Sequence, residues 1–272
     1  MADCRAIQTG EGFLMYCAGN SSGAVHSVFK RAVNLRMQDA LICIATPEFG
    51  GAYHCLNVAE QDISFFTPGQ PVHCSLEGLT AGGIFISLEN IPLYRSPLPP
   101  FMRGTVSGPM TVRFKQIMDR KASHAGIHTG REPELLTLLH TKESAAVAAT
   151  RLIGLGPGLT PAGDDLLLGY LAIYAHMGGD SLLLEALRAA ILNNLSRTGE
   201  ISAQMLKDAV FGHYPDRAAA VVAALCKGEL ESLTVLLPRL METGASSGSD
   251  MAAGMYFALR ACDAAAQTSA AV

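Results

Sequence analysis

The chain has 272 residues, 49% of them hydrophobic and 16% charged, with a net charge of −4. That hydrophobic content excludes general disorder and is enough core for one large domain or two small ones. The slight acidity and the lack of any Lys/Arg cluster exclude a nucleic-acid partner and an anionic membrane surface.

The N-terminus, MADCRAIQTGEGFLMYC, has no basic start leading into an apolar run. The expected location is therefore the cytoplasm. Seven cysteines with no CxxC spacing then read as reduced, mostly buried thiols. In His54-Cys55 and His73-Cys74, neighbours on a strand point to opposite faces, which predicts core thiols beside surface imidazoles.

The first hundred residues predict strands at Ser27–Leu35, Ala40–Ala45, His54–Val58, Pro71–Leu76 and Gly83–Leu88. These runs are short, rich in β-branched or aromatic residues, and separated by Gly/Pro/Asn turns. Arg31 and Asn34 fall on the first of them. A guanidinium matches a phosphate or a carboxylate in bidentate fashion, so both residues are candidate substrate contacts, although a solvated strand edge explains them as well. Ile91–Pro109 holds five prolines and reads as a linker.

Beyond Met110 alanine and leucine dominate at helical spacing. Helices are predicted at Thr111–Lys121, Glu132–Leu139, Lys142–Leu152, Asp165–His176, Ser181–Asn194, Ser202–Val210, Arg217–Leu225, Leu230–Met241 and Asp250–Asp263. The longest apolar stretch, Leu166–Met177, is interrupted by Gly169, is too short to span a bilayer, and reads as a buried helix. The expected fold class is α+β: a β-rich barrel- or sandwich-like region over residues 1–100, then an α-helical domain over 101–272.

One feature carries chemistry. Ala162-Gly163-Asp164-Asp165-Leu166-Leu167-Leu168-Gly169 and Ser247-Gly248-Ser249-Asp250-Met251-Ala252-Ala253-Gly254 share the pattern small-Gly-x-Asp-x-x-x-Gly. Each follows a Gly- and Ser/Thr-containing turn and enters an apolar helix. Thr160-Pro161 fits an N-cap followed by a first helical residue, and Ser246 or Ser247 could cap the second helix. Asp165 and Gly169 share a helix face, as do Asp250 and Gly254. The expected arrangement is two helices crossing at the two glycines, with both N-termini at one pocket.

Such a pocket offers backbone N–H groups and two positive helix ends to an anion. Gly156, Gly158, Thr160, Gly163, Ser246, Ser247 and Gly248 are the candidate substrate contacts, and Asp164, Asp165 and Asp250 the candidate catalytic carboxylates. Bare carboxylates repel a phosphate. Either a divalent cation such as Mg²⁺ bridges Asp165 and Asp250, or the carboxylates cap their helices while the amides bind the anion. Arg197 and Thr198, between two predicted helices, could line the same pocket. Alternatively, the glycines and Asp residues do no more than start two packed helices.

Other motifs fail. Gly154-x-Gly156-x-Gly158 lacks the dinucleotide spacing, and no GK[ST] phosphate loop occurs. Two GxSxG matches, Gly19–Gly23 and Gly244–Gly248, come easily among 27 glycines, and no His follows Ser246 to complete a hydrolase order. His124 and His128 have no HExxH context, so zinc is not expected.

The run Gly154–Gly169, together with Thr243–Gly254 and Arg31-Ala-Val-Asn34-Leu35, resembles a bacterial family long described as a domain of unknown function. One branch is a subunit of oxamate carbamoyltransferase, from anaerobic allantoin breakdown in purine metabolism. That enzyme interconverts oxalurate plus phosphate with oxamate plus carbamoyl phosphate. The transferase subunit has Ser-His where this chain has Ala162-Gly163, which leaves the substrate open. The resemblance implies a transferase subunit that binds phosphate or carbamoyl phosphate at the paired helix N-termini and works in a hetero-oligomer. A carboxylase-like or ligase component for another anionic substrate, or a non-catalytic assembly subunit, are the alternatives.

Overall fold

The computed structural model describes residues 4–98, 104–121 and 138–270. The chain divides into two compact units, Met1–Ser96 and Pro97–Val272.

The first unit is one eight-stranded, nearly closed, barrel-like sheet. Its strands are β1 (Ala6–Thr9), β2 (Ser22–Val28), β3 (Ala32–Arg36), β4 (Leu41–Ala45), β5 (Cys55–Val58), β6 (Pro71–Cys74), β7 (Gly78–Ala81) and β8 (Ile84–Ser87), and helix α1 (Glu11–Ala18) follows the first. Spatial order is β1-β5-β4-β3-β2-β6-β7-β8. Neighbours are antiparallel except β4 and β5, which run parallel.

Period-two alternation builds the core. Val33 and Leu35, Ile42 and Ile44, Leu56 and Val58, and Val72 and Cys74 all join one apolar cluster. The residues between them face the other way. Ser27, Asn34, Cys43 and Cys55 are successive register partners across β2, β3, β4 and β5 and form a polar row on that second face.

The expected strand Ser27–Leu35 is in fact a hairpin. β2 ends at Val28, Phe29 N–H donates to the Ala32 carbonyl, and β3 begins at Ala32. The run is apolar enough to look continuous, but Lys30-Arg31 makes the turn. Cys55 and Cys74 are buried while His73 is exposed, and all seven cysteines are free thiols.

The second unit is helical: α2 (Gly108–Lys121), α3 (Lys142–Leu152), α4 (Ala162–Tyr174), α5 (Ser181–Asn194), α6 (Glu200–Val210), α7 (Asp216–Lys227), α8 (Leu233–Met241) and α9 (Ser247–Ala270). The helix expected at Glu132–Leu139 lies almost wholly outside the described residues, as do His124 and His128; Leu138–His140 forms a 3-10 turn. Every residue of α4 is buried. A helix buried on all sides belongs at the centre of its unit, and here α3, α6, α7 and above all α9 pack against it. Among the described residues no helix is long and apolar enough to cross a membrane.

Candidate functional site

The site begins with how closely α4 and α9 approach each other. A Cβ on Gly169 would lie 2.0 Å from the Met251 carbonyl oxygen, and a Cβ on Gly254 would lie 2.0 Å from that of Leu166. Each contact atom belongs to the residue just after the other copy's Asp. The crossing is therefore reciprocal, and the two copies relate to each other as halves of a local two-fold.

The same symmetry extends one turn back. A Cβ on Gly163 would lie 2.1 Å from the Leu152 carbonyl at the end of α3, and one on Gly248 1.8 Å from the Leu240 carbonyl near the end of α8. Each copy is thus a helix, a turn and a second helix whose first-turn glycine sits against the helix before it.

Helix α4 starts one residue later than the capping pattern suggests. Pro161 itself occupies the cap, with φ −54° and ψ 143°, and its carbonyl accepts from Asp164 N–H and Asp165 N–H. Thr160 is thereby released from capping. Its hydroxyl lies 2.8 Å from that of Ser247, linking the two turns directly. Both hydroxyls lie beside the Asp165 carboxylate, near enough to favour its charged form.

Several first-turn amides are already used. Gly163 N–H donates to the Leu155 carbonyl at 2.9 Å, Gly248 N–H to that of Thr243 at 3.0 Å, and Ser249 and Asp250 N–H to that of Ser246. The preceding loop stays open. Gly154, Gly156 and Gly158 have φ of +76°, +115° and +100°, the left-handed region glycine enters at least cost. Gly156 and Gly158 are exposed, and a Cβ on Gly158 would meet nothing.

The three carboxylates differ. Asp164 is 2% exposed and accepts from Gly154 N–H at 2.9 Å, from Ser202 Oγ at 2.7 Å and from Thr198 Oγ1. It ties the glycine loop and the start of α6 to α4. Asp165, equally buried, has an Oδ2 with no hydrogen-bond partner. Burial is the main cause that pushes its pKa up to about 7; the Ser247 and Thr160 hydroxyls pull it down, and the charges of Asp250 and Asp164 push it further up. Asp250 is fully buried.

The remaining predicted residues fall elsewhere. Arg31 is exposed in the β2–β3 turn and pairs with Glu48 at 2.9 Å. Asn34 lies on the polar row of the sheet and donates from Nδ2 to Ser27 Oγ at 2.9 Å. Both belong to the first unit. Ser246 ends the second turn, half-buried. Among the described residues no three His, Cys, Asp or Glu side chains gather closely enough to hold a metal ion. Ser202 was not foreseen; its only sequence signal is Thr198-x-x-x-Ser202 at a helix start.

Two family models match the chain. Residues 152–259 match the one described as oxamate carbamoyltransferase subunit AllH, and residues 5–93 match the AllH family N-terminal domain. The first spans both copies of the repeat, from the end of α3 well into α9. No solved structure matches.

Proposed function

Because the chain belongs to the AllH family of oxamate carbamoyltransferase subunits, we propose that it serves a carbamoyl-transferring enzyme of the cytoplasm and binds carbamoyl phosphate at the paired turns. The observation that carries this reading is the Thr160–Ser247–Asp165 cluster, which joins both halves of the repeat at one point.

The ligand's two ends ask for opposite partners. Its phosphate needs donors and positive potential, which the ends of α4 and α9, the open loop Gly156–Thr160 and the hydroxyls of Thr160, Ser246 and Ser247 supply. Its amide nitrogen needs acceptors, and the buried Asp165 Oδ2 is an acceptor with nothing to accept from. We assign Asp164 a positioning role, since its oxygens are already taken by three donors. In the transfer, the acceptor's nitrogen bonds to the carbamoyl carbon, the bond from that carbon to the phosphate oxygen breaks, and the nitrogen gives up a proton. Fixed donors around the carbonyl oxygen would stabilise the charge that develops there. Two carboxylates and a phosphate are also a donor set Mg²⁺ commonly accepts, so Asp165 and Asp250 are the residues that would carry it.

The test is thermal unfolding of the full chain with phosphate, carbamoyl phosphate or oxamate, each with and without Mg²⁺. Carbamoyl phosphate should raise the midpoint by several degrees in wild type and not in Asp165→Asn or Asp250→Asn. Dependence on Mg²⁺ assigns the carboxylate pair to a cation; independence leaves it to the amide nitrogen. If wild type responds to none of these ligands while the variants stay folded, the paired turns only start two helices and the chain is an assembly subunit.

A further inference from the structure

We infer that Arg217 is a positioning residue for the second of the paired turns: by holding Thr243 it sets the place of Ser246 and Ser247. The inference rests on the reading of those turns as a carbamoyl phosphate site, and it adds the residue that keeps half of that site in shape.

The two copies of the repeat are tied down differently. Asp164 in the first copy has Ser249 as its counterpart in the second. Asp164 anchors its own turn by accepting from Gly154 N–H, Thr198 Oγ1 and Ser202 Oγ. A serine hydroxyl is uncharged and has two lone pairs, so Ser249 cannot replace a carboxylate that holds three donors. The second turn needs another anchor.

Arg217 supplies one from outside the repeat. It is half-buried in the first turn of α7, where a cation opposes that helix's own dipole. The compensation lies at α8. Arg217 Nη1 donates to the Arg239 carbonyl at 3.1 Å and to Thr243 Oγ1 at 3.3 Å. Arg239 is in the last turn of α8, where carbonyls have no partner within the helix and a cation is favoured. Thr243 opens the turn that follows, and its carbonyl accepts from Gly248 N–H at 3.0 Å. Gly248 adjoins Ser247, whose hydroxyl lies 2.8 Å from that of Thr160. One line of contacts therefore runs from Arg217 through Thr243 to the point where the two turns meet. Gly244, exposed and at φ +64°, leaves the turn pliable just past Thr243, so that is where a fixed point has most effect.

The experiment has two parts, both on the full chain. Calorimetric titration with freshly dissolved carbamoyl phosphate compares wild type with Arg217→Met, Thr243→Val, the double variant and Arg260→Met. Arg217→Met should weaken binding about tenfold and Thr243→Val several-fold. The double variant should lose no more than Arg217→Met alone, because one tie is cut twice. Arg260 is exposed further along α9 and controls for charge, so Arg260→Met should bind as wild type does. Amide hydrogen exchange reads the turn without ligand. Gly248 N–H should exchange faster in Arg217→Met, while Gly163 N–H, its counterpart in the first copy, keeps the wild-type rate. Unchanged affinity in Arg217→Met, additive losses in the double variant, or equal weakening in Arg260→Met each overturns the inference and leaves the paired-turn reading standing. Unchanged Gly248 exchange in Arg217→Met overturns it whatever the affinity. Absence of binding by wild type removes the paired-turn reading and this inference with it. Should Arg217→Met fail to fold, unchanged affinity in Thr243→Val overturns the inference by itself.

Discussion

Asp165 is a carboxylate that holds its proton to near neutrality because the fold has taken it out of water. Its pKa is about 7 in the folded chain against about 3.9 when unfolded. The native state therefore binds the proton more tightly. The stability gained is fully present below about pH 4 and is lost as the pH rises through about 7. Asp165→Asn removes the charge and keeps the shape. Its unfolding midpoint in urea should vary less between pH 4.5 and pH 8 than that of wild type, and at pH 8 it should exceed wild type. The difference should be on the order of a few kcal/mol. A variant whose pH profile matches wild type would mean that Asp165 is ionised throughout. Asp164→Ala leaves Gly154 N–H and the Thr198 and Ser202 hydroxyls without their acceptor and should cost about 3 kcal/mol or more. The sequence marked both residues as special, but it could not assign their roles. Those roles depend on Thr198 and Ser202, which reach Asp164 only once α6 has packed.

At the scale of elements, the crossing of α4 and α9 was the most legible part of the chain, because glycines spaced four residues from an Asp, in two copies, have few other uses. Gly169→Ala and Gly254→Ala each put a Cβ against a backbone carbonyl that cannot swing aside. Overpacking of this kind costs typically 1–3 kcal/mol, and more where backbone is met. Either variant should lower the midpoint of thermal unfolding far more than Gly158→Ala, which meets empty space and bears only the strain of a positive φ. Equal effects at the three positions would refute the tight crossing. The β2–β3 hairpin was less legible: Val28-Phe29 and Ala32-Val33 enclose a turn with neither Gly nor Pro, so composition gave no sign of a break. Strands β1 and β7 and helix α1 went unseen for a related reason. They are short: β1 pairs with β5, far away in sequence, and β7 is a four-residue strand between two tight hairpin turns.

At the scale of the whole molecule, each unit has an apolar cluster that, among the described residues, draws on that unit alone. Residues 1–96 expressed alone should therefore unfold in one cooperative step in urea, and so should residues 97–272. A fragment without a transition would show that its core depends on the rest of the chain. The change of composition near Met110 made two regions legible, while the strand order, with β5 beside β1 and parallel to β4, was not. That order rests on long-range backbone pairing, which leaves little trace in local sequence.

The reciprocal contact of Gly169 and Gly254 has a mechanical consequence. With each helix seated against a carbonyl of the other, neither can slide along its axis without driving a side chain into the space now held by hydrogen alone. The joint is keyed, like two notched beams. Motion at the paired turns must then come from the segments outside the key, Gly154–Thr160 and Thr243–Ser246, while the floor beneath them, Asp165 and Asp250 included, keeps a fixed spacing.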